Sequence, residues 1–225
     1  MTATTRIVEV RRNVLKANDA IARELRERFE RACVCVVSMV SSPGSGKTAF
    51  LEKTLTMLRL RGLRVAALVG DLATDNDAAR LARSGALVKQ IVTGTTCHLD
   101  ALMVRKALED WPLDELDFLF IENVGNLVCP ASYDLGERAR IVLLSVTEGE
   151  DKPLKYPSIF NSADLAVITK MDLAEAVEFD ADAALRGIDT VRPGMEIRIV
   201  SAKRGDNMAS FADWVEKLGS ARSAG

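Results

Sequence analysis

The octapeptide Ser41-Ser42-Pro43-Gly44-Ser45-Gly46-Lys47-Thr48 constrains this chain more than any other feature. It follows ACVCVVSMV, a short apolar run rich in β-branched residues, as found in strands buried on both faces of a parallel sheet. It opens AFLEKTLTMLRLRG, a stretch of helical character expected to close at Gly62. Strand, glycine loop and helix in that order make a phosphate cradle. Gly44 and Gly46 let backbone N–H groups converge on phosphate oxygens, and the helix N-terminus adds the positive end of its dipole. In this reading Pro43, Gly44, Ser45, Gly46, Lys47, Thr48 and Ala49 line a bound nucleotide. Lys47 reaches the β- and γ-phosphates, and Thr48 offers its hydroxyl to Mg²⁺. Ser41 stands where the usual G-x-x-x-x-G-K-[ST] pattern has glycine.

Around this loop the chain alternates. Strand-like runs recur at 65–69, 87–92, 118–122, 140–145, 165–169 and 196–201, with helix-period stretches between most of them. The expected fold is α/β, a mostly parallel sheet with helices on both faces and ligands bound beyond the carboxyl ends of the strands. An amphipathic helix at about 10–30, with Val14, Leu15, Ile21, Leu25 and Phe29 at helical spacing, precedes a core at about 33–220. No low-complexity linker divides the 225 residues, so a single domain is expected.

A net charge of −2 without long runs of one sign gives no nucleic-acid footprint. The longest apolar run, 33–40, is too short to cross a bilayer, and the N-terminus lacks the apolar region of a signal peptide, so a cytoplasmic protein is expected. Four cysteines, at positions 33, 35, 97 and 129, make no secreted disulfide framework and are expected to be thiols there.

Two further segments bear on which base is bound. Thr169-Lys170-Met171-Asp172 follows the strand at 165–169 and has the form of an N/T-K-x-D base-recognition motif. Asp172 would accept from the N1–H and exocyclic amine of guanine, and the Lys170 stem would lie along the ring. Ser201-Ala202-Lys203 follows the last strand, where a backbone N–H would meet the guanine carbonyl. Order and spacing behind the phosphate loop favour GTP and GDP over ATP. Glu122, in Glu122-Asn123-Val124-Gly125, stands where the D-x-x-G motif has aspartate and would face Mg²⁺ from a strand end. Asp71, ending the strand expected beside the first, is a second candidate for Mg²⁺ through water. Asp71 and Asp75 are candidates for positioning the attacking water, with solvated surface carboxylates as the alternative.

The chain's one histidine, His98, directly follows Cys97 in a segment expected to begin a helix, with Thr95 or Thr96 as N-cap, Asp100 in the first turn and Leu102 on its core face. A cysteine there would have its thiolate stabilised. Cys129 lies seven residues after Glu122, so ordering of that segment by GTP would move it relative to Cys97 and His98. Two thiolates and an imidazole suit Ni²⁺ or Zn²⁺, and three ligands fall short of the usual four. On the residues alone, three unrelated side chains remain the alternative. Cys33 and Cys35 are expected inside the first strand as core residues.

The phosphate loop, C-H-L-D-A at 97–101, E-N-V-G-N-L-V-C-P at 122–130 and T-E-G at 147–149 together resemble the HypB family of GTPases that insert nickel during [NiFe]-hydrogenase maturation. The resemblance runs over nearly all of the chain from Asn13 onward. It implies a P-loop G domain of the SIMIBI class, slow intrinsic GTP hydrolysis and nucleotide-driven homodimerisation. It further implies a metal site at the dimer interface made by Cys97, His98 and Cys129, and two partners, a HypA-like nickel metallochaperone and the hydrogenase large subunit. The C-x-x-C-G-C or histidine-rich stretches of some members are absent from this sequence, so no high-affinity N-terminal nickel site and no nickel storage are expected. The related UreG GTPases show C-P-H at the metal site, making urease the second client. A metal carrier with a structural nucleotide is the non-enzymatic alternative, and a small-molecule kinase is disfavoured by Thr169 to Asp172.

Overall fold

The computed structural model describes residues 3–72 and 76–220, with side chains from residue 12 onward. Strands β1 (Cys35–Ser41), β2 (Val65–Asp71), β3 (Leu87–Val92), β4 (Phe118–Glu122), β5 (Ala139–Ser145), β6 (Leu165–Thr169) and β7 (Glu196–Ile199) form one sheet in the order β3-β2-β4-β1-β5-β6-β7. Every strand pairing is parallel, so the expected architecture holds in its strict form. The apolar runs explain why. β1 and β5 are buried along their whole length, which suits a strand covered on both faces and not one with a wet side.

Helices cover both faces. On one, α2 (Lys47–Leu60) and α8 (Met208–Ser220) bring Phe50, Leu51, Leu55 and Phe211 onto Val37, Met39 and Phe120. The Phe50 and Phe211 rings meet at 4.6 Å, and each fully buried aromatic contributes roughly 2–3 kcal/mol of apolar burial. On the other face, α1 (Ala3–Arg31) sets Leu25 and Phe29 beside Leu68, Leu119, Ile121 and Val104 of α4 (Ala101–Ala107). The N-terminal helix thus starts earlier than its hydrophobic pattern indicates. The short helices α3 (Asn76–Ala82), α5 (Lys152–Lys155) and α6 (Pro157–Asn161), with α7 (Ala181–Val191), complete the crossovers.

Three expectations are corrected. Cys33 lies outside β1, exposed in the turn after α1 at φ +54°, while Cys35 is buried as expected. The turn is dictated by α1 ending at Arg31, which leaves Ala32 to Val34 to reverse the chain. β2 does not neighbour β1, because β4 pairs with both and separates them. The helix near Cys97 begins four or five residues later than expected, since Asp100 and not Thr96 or Thr95 caps it, accepting the Met103 N–H at 2.8 Å. Cys97 is therefore outside the first turn, and Leu102 is exposed instead of core.

Candidate nucleotide and metal site

The phosphate loop leaves β1 and enters α2 through two glycines, Gly44 at φ +72° and Gly46 at φ +92°, a region glycine enters without steric cost. Ser41 ends β1 with ordinary strand backbone, so the absent motif glycine costs nothing there. Its buried hydroxyl donates to the Ser42 carbonyl at 2.7 Å, touches the Ser45 hydroxyl and accepts from Lys47 Nζ at 2.9 Å. Burial holds the Lys47 ammonium below the usual lysine range, with Glu122 pulling the other way.

Glu122 ends β4 almost fully buried, its Oε1 accepting the Thr48 hydroxyl at 2.8 Å. Burial pushes its carboxyl up to about 7, against the pull of Lys47 and Thr48, and Oε2 is buried with no hydrogen-bond partner among the described residues. An orphaned carboxylate oxygen beside a threonine hydroxyl, next to a phosphate cradle, is chemistry that a divalent cation satisfies. Asp71 is half-buried at the end of β2, where its Oδ1 accepts the Leu72 N–H at 2.7 Å and its charge adds to the upward push on Glu122. Asp75 lies outside the described residues. Gly125, the glycine of the Glu122 motif, packs on the phosphate loop, and a Cβ there would come within 2.8 Å of the Pro43 backbone.

The base-recognition segments meet at the same end of the sheet. Thr169 donates its hydroxyl to the Ser45 carbonyl at 2.8 Å, a buried bond that accounts for threonine at this place. Lys170, at φ +57°, reaches over Gly46 to donate to the Gly44 carbonyl at 2.6 Å. Asp172 accepts the Ser201 hydroxyl at 2.6 Å, which holds its carboxyl below the usual range, and Met171 N–H bonds the Val200 carbonyl. The segment of Ser201, Ala202 and Lys203 is thereby fixed against the segment of Asp172.

Cys97 Sγ stands 3.2 Å from Cys129 Sγ and 3.9 Å from His98 Nδ1, and one ligand atom from each residue lies within 4.8 Å of the others. The three are brought together from segments 32 residues apart. The His98 ring packs on Tyr133 with centroids 4.0 Å apart. Burial lowers its pKa against the opposing pull of Asp100, and so favours the neutral imidazole that ligation needs.

Of the residues that hold this cluster, Leu99 belongs to the C-H-L-D-A motif, while Asn18 and Arg140 escape the sequence motifs. Leu99 wedges against Gly70 at the end of β2, where a Cβ would stand 2.7 Å from its side chain. Buried Asn18 of α1 accepts the Ala101 N–H and donates to the Asp134 carbonyl, tying the Cys97 side to the loop that follows Cys129. A signal existed, for Asn18 interrupts the apolar face that Val14, Ala22, Leu25 and Phe29 mark on α1. Arg140, in a buried pair with Glu137, donates to the Pro130 and Tyr133 carbonyls and anchors that loop from β5. Nothing local in the sequence announces Arg140.

The CobW/HypB/UreG nucleotide-binding domain family matches residues 35–198. Hydrogenase maturation factor HypB of Rhizobium leguminosarum bv. viciae is 48% identical over 211 residues, 94% of this chain and 70% of that protein. HypB of Escherichia coli K12 is 46% identical over 94% of this chain and 72% of that protein. The hydrogenase/urease maturation factor HypB of Helicobacter hepaticus is 39% identical over 93% of this chain and 87% of that protein. Among solved structures, HypB from Helicobacter pylori in complex with nickel superposes with a TM-score of 0.85 at 40% identity, covering 90% of this chain and 95% of that one. HypB from Archaeoglobus fulgidus gives 0.84 at 36% identity, covering 91% and 99%.

Proposed function

The chain belongs to the HypB hydrogenase maturation factors of the CobW/HypB/UreG family, and on that premise we propose that it is a GTPase whose nucleotide cycle controls delivery of nickel to a metalloenzyme. One observation carries the reading: a single segment, Glu122 to Cys129, contributes both the buried carboxylate beside Thr48 and one member of the Cys97, His98, Cys129 cluster. Nucleotide and metal chemistry therefore share a piece of chain, which a carrier with a merely structural nucleotide would not need.

In this proposal the whole chain is one G domain. Pro43 to Ala49 cradle the phosphates, Lys47 neutralises charge developing on the transferred phosphoryl group, and Asp172 with the 201–203 turn selects guanine. Thr48 and Glu122 would hold Mg²⁺, with Asp71 nearby, and the cation when bound would neutralise β- and γ-phosphate charge. Asp71 or Asp75 would position the attacking water. Intrinsic turnover is slow, as suits a switch. Cys97, His98 and Cys129 hold Ni²⁺ as cargo, with Zn²⁺ as an alternative occupant, and three ligands per chain call for a second chain to complete the sphere. A homodimer formed with GTP would supply it, a HypA-like metallochaperone would load it, and the [NiFe]-hydrogenase large subunit would receive the metal. Urease is the second client, favoured by the name of the Helicobacter hepaticus relative.

The test is phosphate release. Turnover of GTP that responds to Ni²⁺, with GTP preferred over ATP by at least about tenfold because two unmade hydrogen bonds cost on the order of 1–3 kcal/mol each, supports the reading. Equal affinity for ATP, or no release above background, contradicts it.

A further inference from the structure

The metal cluster has a side chain at its centre that is not itself a ligand. Asn126 donates its Nδ2 to the Cys97 carbonyl at 3.3 Å, and its Oδ1 accepts the N–H groups of Val128 at 2.8 Å and Cys129 at 3.4 Å. One amide thus holds peptide groups of both cysteines. Three residues earlier, buried Asn123 accepts the N–H groups of Leu99 and Val124, each at 2.9 Å, while its own N–H continues the β4 to β1 ladder onto the Met39 carbonyl. The Cys97 turn is therefore fixed at two points to the segment that starts at Glu122 and ends at Cys129.

We propose that Asn126 is a positioning residue that makes Cys97, His98 and Cys129 a preassembled half-site within one chain. The inference rests on the assignment of those three residues as the metal centre and adds what fixes their geometry. Its consequence differs from a loop that brings Cys129 to the others on GTP binding. Because Asn123 and Asn126 tie the Cys97 turn to the 122–129 segment, a nucleotide would act by moving the half-site as a body with the end of β4. Groups that orient metal ligands without touching the metal influence affinity strongly, commonly by 10–100-fold.

The test uses the full chain without nucleotide, with Co²⁺ alone as the probe and thiolate-to-cobalt absorption as the readout. Asn126→Ser keeps a hydroxyl able to support the local turn to Val128 but is too short to reach Cys97, and Asn126→Ala removes both. Both variants are expected to weaken Co²⁺ binding by about tenfold or more. The charge-transfer bands should also change in intensity, and Ser should not rescue Ala. Thermal unfolding on the same samples identifies a variant that has failed to fold. If Ala fails, Ser alone decides. Wild-type affinity within twofold and an unchanged spectrum in Asn126→Ser overturns the proposal, as does full rescue by Ser, which would reduce Asn126 to a turn residue. A Cys97→Ala, Cys129→Ala control separates the two levels. If it keeps the thiolate bands, the metal assignment falls and the proposal with it; if it loses them while Asn126→Ser is unaffected, only the proposal falls.

Discussion

The phosphate loop and the metal cluster lie at the same end of the sheet, yet they are built in opposite ways. The loop is eight consecutive residues whose conformation is set locally, by two left-handed glycines and the start of a helix. The cluster joins segments around 97 and 129, fixed by amide side chains from α1 and from the end of β4 and by Arg140 of β5. A contiguous motif carries its own geometry. A distributed one borrows geometry from the fold, and it should respond to changes in residues that touch no ligand.

The largest expected effect belongs to the local site. Lys47→Ala should cut GTP hydrolysis by about 100-fold or more in a phosphate-release assay, because a buried cation facing transferred charge is worth several kcal/mol in the transition state. Retained turnover would mean that Lys47 is a structural partner of Ser41 only.

Next comes pH. The Glu122 carboxyl sits at about 7 in the folded chain, far above its ordinary 4.5, because it is buried. Folding therefore favours its protonated form. The Glu122 contribution to the stability of the nucleotide-free chain should fall as pH rises from about 4.5 to about 7, with a limit on the order of 3 kcal/mol, and level off above, while the lowered His98 pKa works in the opposite sense. Urea unfolding at pH 5 and pH 8 measures it. Glu122→Gln should remove this dependence, as should loading with Mg²⁺ and GDP. A wild-type chain whose stability does not fall relative to Glu122→Gln over this window would show that Oε2 is satisfied in solution.

Gly125→Ala probes the junction of the two sites, since Gly125 stands where the segment leading to Cys129 touches the phosphate loop. Its Cβ would strike the Pro43 backbone, and overpacking of that kind costs about 1–3 kcal/mol, so GDP affinity should fall by about tenfold in titration calorimetry. An unchanged affinity would mean that the two segments separate freely.

The smallest effect is expected at Cys33→Gly. Glycine suits φ +54° but loses more entropy on folding, so the melting temperature should stay within a few degrees and Ni²⁺ binding should persist. Loss of metal would place Cys33 in the ligand set.

The same contrast governs what the sequence could show. The sheet, its parallel sense, α2 and the phosphate loop were legible because each rests on a periodicity or a contiguous motif. Residue chemistry made Cys97, His98 and Cys129 candidates and left three unrelated side chains open; the family resemblance grouped them, and their closeness comes from the fold. β4 between β2 and β1 is a topological fact that no local pattern encodes, which is why Asp71 was set beside the wrong strand. Asp100 and Thr96 are both good caps, and the competition between them was settled by Asn18 and Asn123, which hold Ala101 and Leu99 from outside the helix. Asn126 and Arg140 act across distances in sequence that propensity does not see.

In the proposed switch the local site commands the distributed one, with GTP bringing two preassembled half-sites together. Metal affinity and particle mass, measured on the same sample by titration and light scattering in GDP and in a non-hydrolysable GTP analogue, test it directly. Linkage is reciprocal, so a mass that doubles with the analogue should accompany a change in Ni²⁺ affinity, and Ni²⁺ should change analogue affinity by the same factor. An unchanged mass together with an unchanged affinity would contradict the account.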